Sequence, residues 1–274
     1  MGKPDLEKIL ITGASGMVGR AIQWGQRYSR SELDVCNPKQ IEEVFSKANP
    51  SAIIHLAGLD INQAEADPKR ANDTNVLGTK HIALAAKKRK IPIVFLSSAC
   101  IFNGPIGSQF SESDTPAPCN IYGHAKLQSE MFLKDIYPEG SIIVRTSWVF
   151  GGHGSHHKKF VDIAIEAAKR GNAIFANRAQ EGSPTYVVDL IQAIQKILLS
   201  DGRGVFHIAN KGRATAWDIA KKIVEILGSK SEIKPLQKSN AETQNHKRSA
   251  SEVLTSNQIA LRSWEEALRE YVLK

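Results

Sequence analysis

Residues 13–19 constrain the fold more than any other stretch: Gly13-Ala14-Ser15-Gly16-Met17-Val18-Gly19 sets three glycines at G-x-x-G-x-x-G spacing. The turn lies between an apolar run at 8–12 and a run at 17–28 with helical spacing, so it reads as strand, tight turn and helix. In that setting Gly13 permits the turn, Gly16 lets the backbone approach a pyrophosphate, and Gly19 lets helix and strand pack closely. Thr12 and Ser15 add hydroxyls nearby. A glycine-containing loop alone would carry little, but these flanks make a dinucleotide the expected ligand. Its candidate contacts here are Thr12, Gly13, Ser15, Gly16, Met17, Val18 and Gly19.

The rest of the chain repeats the alternation. Apolar segments at 52–56, 91–97, 142–146 and 205–208 read as buried strands, and helical spacing marks 38–48, 67–88, 122–133, 159–169, 188–199 and 215–227. Such alternation predicts an α/β fold: a Rossmann-type, doubly wound parallel sheet. After Trp148 the pattern loosens into glycine-rich and polar stretches. The expected division is a dinucleotide-binding domain over 1–147, rejoined by segments around 184–210, and a smaller substrate-binding lobe made mainly of 148–274. Residues 238–248 are polar enough for a loop, and the chain is expected to re-dock through a helix over 257–272.

Thirty-six basic against 28 acidic residues leave a net charge of +8, a field that attracts phosphorylated ligands. The basic run Lys87-Lys88-Arg89-Lys90 closes a helix with no interleaved aromatic, so a solvated helix end is expected and a nucleic-acid partner is not. No stretch has the roughly 20 apolar residues of a membrane span, and the amino end lacks a secretory signal, so a cytoplasmic, membrane-free protein is expected. Cys36, Cys100 and Cys119 are odd in number and unpaired in spacing, against both a disulfide framework and a zinc knuckle. His153-Gly154-Ser155-His156-His157 offers crowded nitrogens without a local carboxylate; a substrate loop is expected there and no metal is assigned.

Chemistry concentrates at two places. Tyr122 and Lys126 are four residues apart, on one face of a helix, and an ammonium beside a phenol lowers its pKa and readies it for proton transfer. Ser97-Ser98 sits at the end of the apolar strand Ile91 to Leu96, at the sheet edge where doubly wound folds bind ligands. Ser98, Tyr122 and Lys126 are therefore the candidate catalytic set.

Thr12-Gly13 to Gly19, His55-Leu56-Ala57-Gly58, Asn75, Ser97-Ser98 and Tyr122 to Lys126 together resemble the extended short-chain dehydrogenase/reductase superfamily over almost the whole chain. Leu33-Asp34-Val35, Ala64-Glu65-Ala66-Asp67-Pro68, Ile101-Phe102-Asn103-Gly104 and Pro116 to Gly123 narrow the resemblance to the dTDP-4-dehydrorhamnose reductase family, as do Arg145 to Gly151 and Gly182-Ser183-Pro184-Thr185. The resemblance implies reduction of a 4-keto-6-deoxy sugar nucleotide by NADPH or NADH. It implies that Ser98 orients the keto oxygen, Tyr122 is the general acid, and Lys126 tunes Tyr122 and grips the nicotinamide ribose. It sets Asp34 and Val35 against the adenine, Leu56, Ala57, Gly58 and Asn75 along the cofactor, and Ser98, Ala99, Arg145, Trp148 and Gln180 near the sugar nucleotide. A homodimer is one oligomeric state compatible with it.

The chain also departs from that family. Between Gly19 and Leu33 it is several residues short, with no acidic residue ending a second strand; Arg20, Arg27 and Arg30 favour a 2′-phosphate and hence NADPH, or serve as solvated charges. Ala99 stands where the family has aspartate after the active-site hydroxyl, Leu59 where a threonine is usual, and Ala179 where Gln180 has an acidic neighbour. Two other readings stay open: a sugar-nucleotide epimerase or dehydratase, disfavoured by the missing carboxylate at Ala99, and a non-catalytic regulatory subunit resembling the methionine adenosyltransferase beta subunit, disfavoured by the intact Ser98, Tyr122 and Lys126.

Overall fold

The computed structural model describes residues 3–152, 159–236 and 247–274. Its centre is a six-stranded parallel sheet. Five strands come from residues 9–146: β1 (Ile9–Thr12), β2 (Gln26–Tyr28), β3 (Ala52–His55), β4 (Ile93–Ser98) and β5 (Ser141–Thr146). Beyond them lie β6 (Val149–Phe150), β7 (Ile174–Ala176), β8 (Glu181–Gly182) and β9 (Thr185–Tyr186), followed by β10 (Gly204–His207), which returns to the sheet as its sixth strand. The spatial order is β10-β5-β4-β3-β1-β2, every pairing parallel. β1, β3 and β5 are buried at every residue, the continuous apolar pattern of strands covered on both faces.

Chain direction across this sheet reverses between β1 and β3, since β2 lies on one side of β1 and all later strands on the other. That crevice, at the carboxyl ends of the strands, is where open α/β sheets bind ligands.

The helices cover both faces: α1 (Met17–Ala21), α2 (Pro38–Ala48), α3 (Ile61–Ala66), α4 (Pro68–Ala71), α5 (Gly78–Arg89), α6 (Ile121–Ile136), α7 (Phe160–Lys169), α8 (Val187–Leu199) and α9 (Ala216–Leu227). One apolar cluster packs Phe45, Ile82, Phe95 and Leu133 on one side, and another packs Ile11, Val144, Leu190 and Ile223 on the other. Smaller strand pairs gather the second half: β11 (Ala214–Thr215) and β13 (Ser251–Glu252) flank β8, β12 (Ile233–Pro235) pairs with β7, and β6 pairs with β9.

Three sequence expectations change. The helix expected over 17–28 stops at Ala21, and residues 26–28 form β2 instead. Gly25 at φ +76°, a conformation that favours glycine, turns the chain back against the sheet, and tertiary pairing with β1 overrides the helical spacing. The helix expected over 67–88 is three segments, α4, a π-turn over Asn72–Leu77, and α5. The last helix is Trp264–Leu273, begun by a Ser263 and Glu266 capping box, so the chain before it is not helical. The histidine cluster 153–157 and most of the polar segment 238–248 lie outside the described residues.

Candidate active site

A cavity of about 520 Å³ opens at the crevice between β1 and β3 and extends past the end of β4. Gly13, Ser15, Gly16, Met17, Val18 and Gly19 form one wall, Leu56 and Gly58 another, and Ser98, Tyr122 and Lys126 line the part beneath β4 and α6.

The turn is built for backbone proximity. Gly13 has φ +69°, and a Cβ there would sit 2.6 Å from the Ala57 nitrogen; one on Gly19 would sit 2.5 Å from the Gly13 carbonyl oxygen. Only hydrogen fits at either place. Thr12, expected to offer its hydroxyl to a cofactor, is fully buried and binds inward instead. Its oxygen lies 2.7 Å from His55 Nδ1 and accepts from the Leu56 and Ala57 amides at 3.2 and 3.1 Å, so it ties the turn to the loop after β3. On the far side, His55 Nε2 lies 3.1 Å from the Thr79 hydroxyl, which donates to the Asn75 carbonyl at 2.6 Å. Burial pushes the His55 pKa down to about 3, so the ring is neutral and its part is structural.

Asn75 is also buried. Its side chain accepts from the Leu59 amide at 2.7 Å and donates to the Leu59 carbonyl at 3.2 Å, which fixes the loop carrying Gly58. Asp34 accepts from the Cys36 amide, and Val35 is 3 % exposed against Gly78; neither lines this cavity.

α6 begins one residue before Tyr122. Asn120 caps it by accepting from the Gly123 amide at 2.7 Å, and Glu65 of α3 accepts from the Tyr122 amide at 3.1 Å. These contacts satisfy backbone donors that a helix start leaves open, and they set where the tyrosine emerges. Lys126, one turn later, is 7 % exposed; its ammonium donates to the Leu96 carbonyl at 2.8 Å and lies 4.7 Å from the Phe95 ring centre and 5.8 Å from that of Tyr122. Ser98 accepts from the Cys100 amide at 3.1 Å, and it lines the same cavity as Tyr122, whose pKa it acts to lower.

The electrostatics differ from the expected lowering of the phenol. Burial raises the Tyr122 pKa above its ordinary value, with the Ser98 hydrogen bond acting in the opposite direction, and burial lowers Lys126 to about 8. Desolvation is the largest cause at both groups because charging either one inside the cavity forfeits hydration. Tyr122 therefore rests protonated at neutral pH, the state a general acid requires.

Beneath the site, Arg145 faces away from the cavity. At 2 % exposure its guanidinium donates bidentately to Glu130, with Nη2 2.7 Å and Nε 3.0 Å from the carboxylate oxygens, while Ser97 donates to the same carboxylate at 2.5 Å. The arginine expected near a sugar nucleotide is committed to the core by its pairing. Ala99 is fully buried as well.

A second cavity, about 600 Å³, adjoins the first and shares Trp148, Val149 and Lys159 with it. Gln180 lines it, as do Ala179, Asn177, Phe175 and Arg248. Trp148 has φ +42°, a conformation costing a non-glycine residue of order 1–3 kcal/mol and found where a fold over-determines a functional position.

Sequence reasoning gave no site role to Thr146, Lys159, Glu65 or Glu252. Thr146 ends β5, so the strand-end rule applied to Ser98 could have found it; Glu65 stands within the family-like stretch Ala64 to Pro68, and Lys159 and Glu252 carry no local signal.

A nicotinamide dinucleotide suits the first cavity. The Thr146 hydroxyl, on a buried residue of the cavity wall, has no hydrogen-bond partner, and the glycine turn is stripped of side chains where a pyrophosphate would approach. Among the described residues no group of three His, Cys, Asp or Glu side chains is arranged to hold a metal, and no helix is long and apolar enough to cross a membrane.

A family model described as the RmlD substrate binding domain matches residues 7–274. The dTDP-4-keto-6-deoxy-D-glucose reductase of Streptomyces niveus is 30 % identical over 81 % of this chain and 80 % of its own length. The dTDP-4-dehydrorhamnose reductase of Aggregatibacter actinomycetemcomitans is 30 % identical over 80 % of this chain and 79 % of its own. The crystal structure of dTDP-4-dehydrorhamnose reductase from Bacillus anthracis in complex with NADP superposes with a TM-score of 0.89 at 29 % identity, covering 98 % of this chain and 99 % of that one.

Proposed function

The chain belongs to the RmlD substrate binding domain family, and from that premise we propose that it is an NADPH-dependent reductase of a 4-keto-6-deoxy sugar nucleotide, with a dTDP-linked sugar the first to test. One observation carries the reading: the glycine turn and the set Ser98, Tyr122 and Lys126 line one cavity at the point where strand order reverses.

A nicotinamide dinucleotide held along the glycine turn would supply the hydride for the carbonyl carbon. Tyr122 gives its phenolic proton to the carbonyl oxygen, and its raised pKa keeps that proton available. Ser98, on the same cavity wall as Tyr122, orients the oxygen. Lys126 holds positive charge 5.8 Å from the Tyr122 ring centre and offsets negative charge on the phenol as the proton leaves, and it would bind the ribose of a nicotinamide dinucleotide. Trp148, Gln180 and Lys159, around the second cavity, hold the sugar nucleotide. In this division residues 1–147, with β10 returning from the 184–210 region, carry the dinucleotide, and 148–274 mainly carry the substrate.

For the nicotinamide form, β2 ends at Tyr28, whose carbonyl accepts from the Ala14 amide at 3.0 Å, and Ser29 and Arg30 follow. An arginine beside the turn, with no acid ending the strand, supports a 2′-phosphate and hence NADPH, while the Ser29 hydroxyl donates to Glu32 at 2.7 Å.

The test is loss of NADPH absorbance with dTDP-4-keto-6-deoxy sugar, comparing the native chain with Tyr122→Phe. Turnover is expected to fall about 10²- to 10⁴-fold while NADPH binding persists. Unchanged turnover in the variant would remove Tyr122 from the mechanism.

A further inference from the structure

Trp148 is held by contacts its own strand does not supply. Its backbone is left-handed, and its indole stands where a Cβ on Gly182 would have to be, 2.6 Å from the nearest ring atom. Its Nε1–H donates to Glu252 Oε2 at 2.9 Å. Glu252 lies 104 positions on in the chain, in β13, which β8 aligns in parallel so that Glu252 pairs in register with Gly182. The second oxygen of the same carboxyl accepts from the Cys100 thiol at 3.5 Å, two residues past Ser98. The Ser147 hydroxyl donates to the Glu252 carbonyl at 2.8 Å, which fixes the strand itself.

Glu252 is 7 % exposed and lines neither cavity, yet it bonds to the indole that separates them and to the segment carrying Ser98. A buried carboxyl is an expensive way to fill space, and an apolar residue would serve packing alone. The geometry points to Glu252 as a positioning residue that locks the Trp148 indole at the wall shared by the two cavities, and so sets the fit of the substrate-side cavity without touching the ligand. This rests on the reductase reading for its substrate and on the hydrogen bonds above for its mechanism. Burial raises the Glu252 carboxyl above the usual carboxylate range, opposed by Arg248 and by the bonds from Trp148 and Cys100. Either protonation state keeps an oxygen for the indole to bond.

Losing one such bond is expected to raise KM for the sugar nucleotide about tenfold in Glu252→Ala, with kcat and the NADPH dissociation constant changed less than about threefold. Glu252→Gln, which retains an acceptor, is expected to recover most of that loss. In a Trp148→Phe background, which has no indole N–H, Glu252→Ala is expected to raise KM no further. An additive effect there, or no recovery by Gln, would overturn the proposal. A turnover-independent readout keeps it separate from the substrate assignment: four tryptophans give four indole N–H signals, and Trp148→Phe identifies the one concerned. That signal is expected to move upfield in Glu252→Ala. If it moves while the native chain fails to reduce the dTDP-linked ketone, the substrate assignment falls and the Glu252–Trp148 link stands. If it does not move, the link is overturned whatever the substrate.

Discussion

Lys126 is the residue whose charge the chemistry most exposes to pH. Burial lowers its pKa to about 8, so the ammonium is present below that value and lost as pH rises through it. The kcat/KM for ketone reduction is therefore expected to decline above about pH 8, read from a pH profile at saturating NADPH; a flat profile to pH 10 would show that the ammonium is not required. Ser98, Tyr122 and Lys126 were legible in sequence because their relation is local: a strand end, and two side chains one helical turn apart. Arg145 was not, because its partners Glu130 and His207 lie 15 and 62 positions away and nothing near Arg145 distinguishes a core ion pair from a ligand contact.

At the scale of elements, the shortened first unit matters most. α1 has five residues and β2 three, so the chain leaves β2 beside the glycine turn, where the Tyr28 carbonyl accepts from the Ala14 amide. If the loop after β2 reads a 2′-phosphate, Arg30→Ala is expected to weaken NADPH binding about tenfold and leave NADH binding nearly unchanged, measured by fluorescence titration of each. Equal weakening of both would assign Arg30 to general charge attraction. The sequence showed that this region was trimmed but put a helix through 26–28, since its apolar spacing fits a helix and a short edge strand alike. Pairing with β1 decides between them.

Across the whole molecule, a buried polar chain joins the site to the opposite edge of the sheet. Ser97 of β4 donates to Glu130 of α6, Glu130 binds Arg145 of β5, Arg145 Nη1 lies 3.3 Å from His207 Nε2 on β10, and Glu112 accepts from the His207 amide at 3.1 Å. Removing either Arg145 or Glu130 strands its partner's charge in the core. Arg145→Met is expected to destabilise the chain by about 3–5 kcal/mol in urea unfolding, and replacing Glu130 by Leu in the same chain to recover part of it. A loss under about 1 kcal/mol would mean the pair is solvated in solution.

The sequence by itself determined the parallel α/β architecture, the glycine turn and the Ser98, Tyr122 and Lys126 set, because each is written in spacings of a few residues that backbone geometry converts directly into a face or a turn. Only the tertiary structure decided that Thr12 and Arg145 turn inward, that Glu65 anchors the start of α6, and that Glu252 meets Trp148. Those outcomes depend on which distant strands become neighbours, and on the rule that a buried polar group settles where a partner exists.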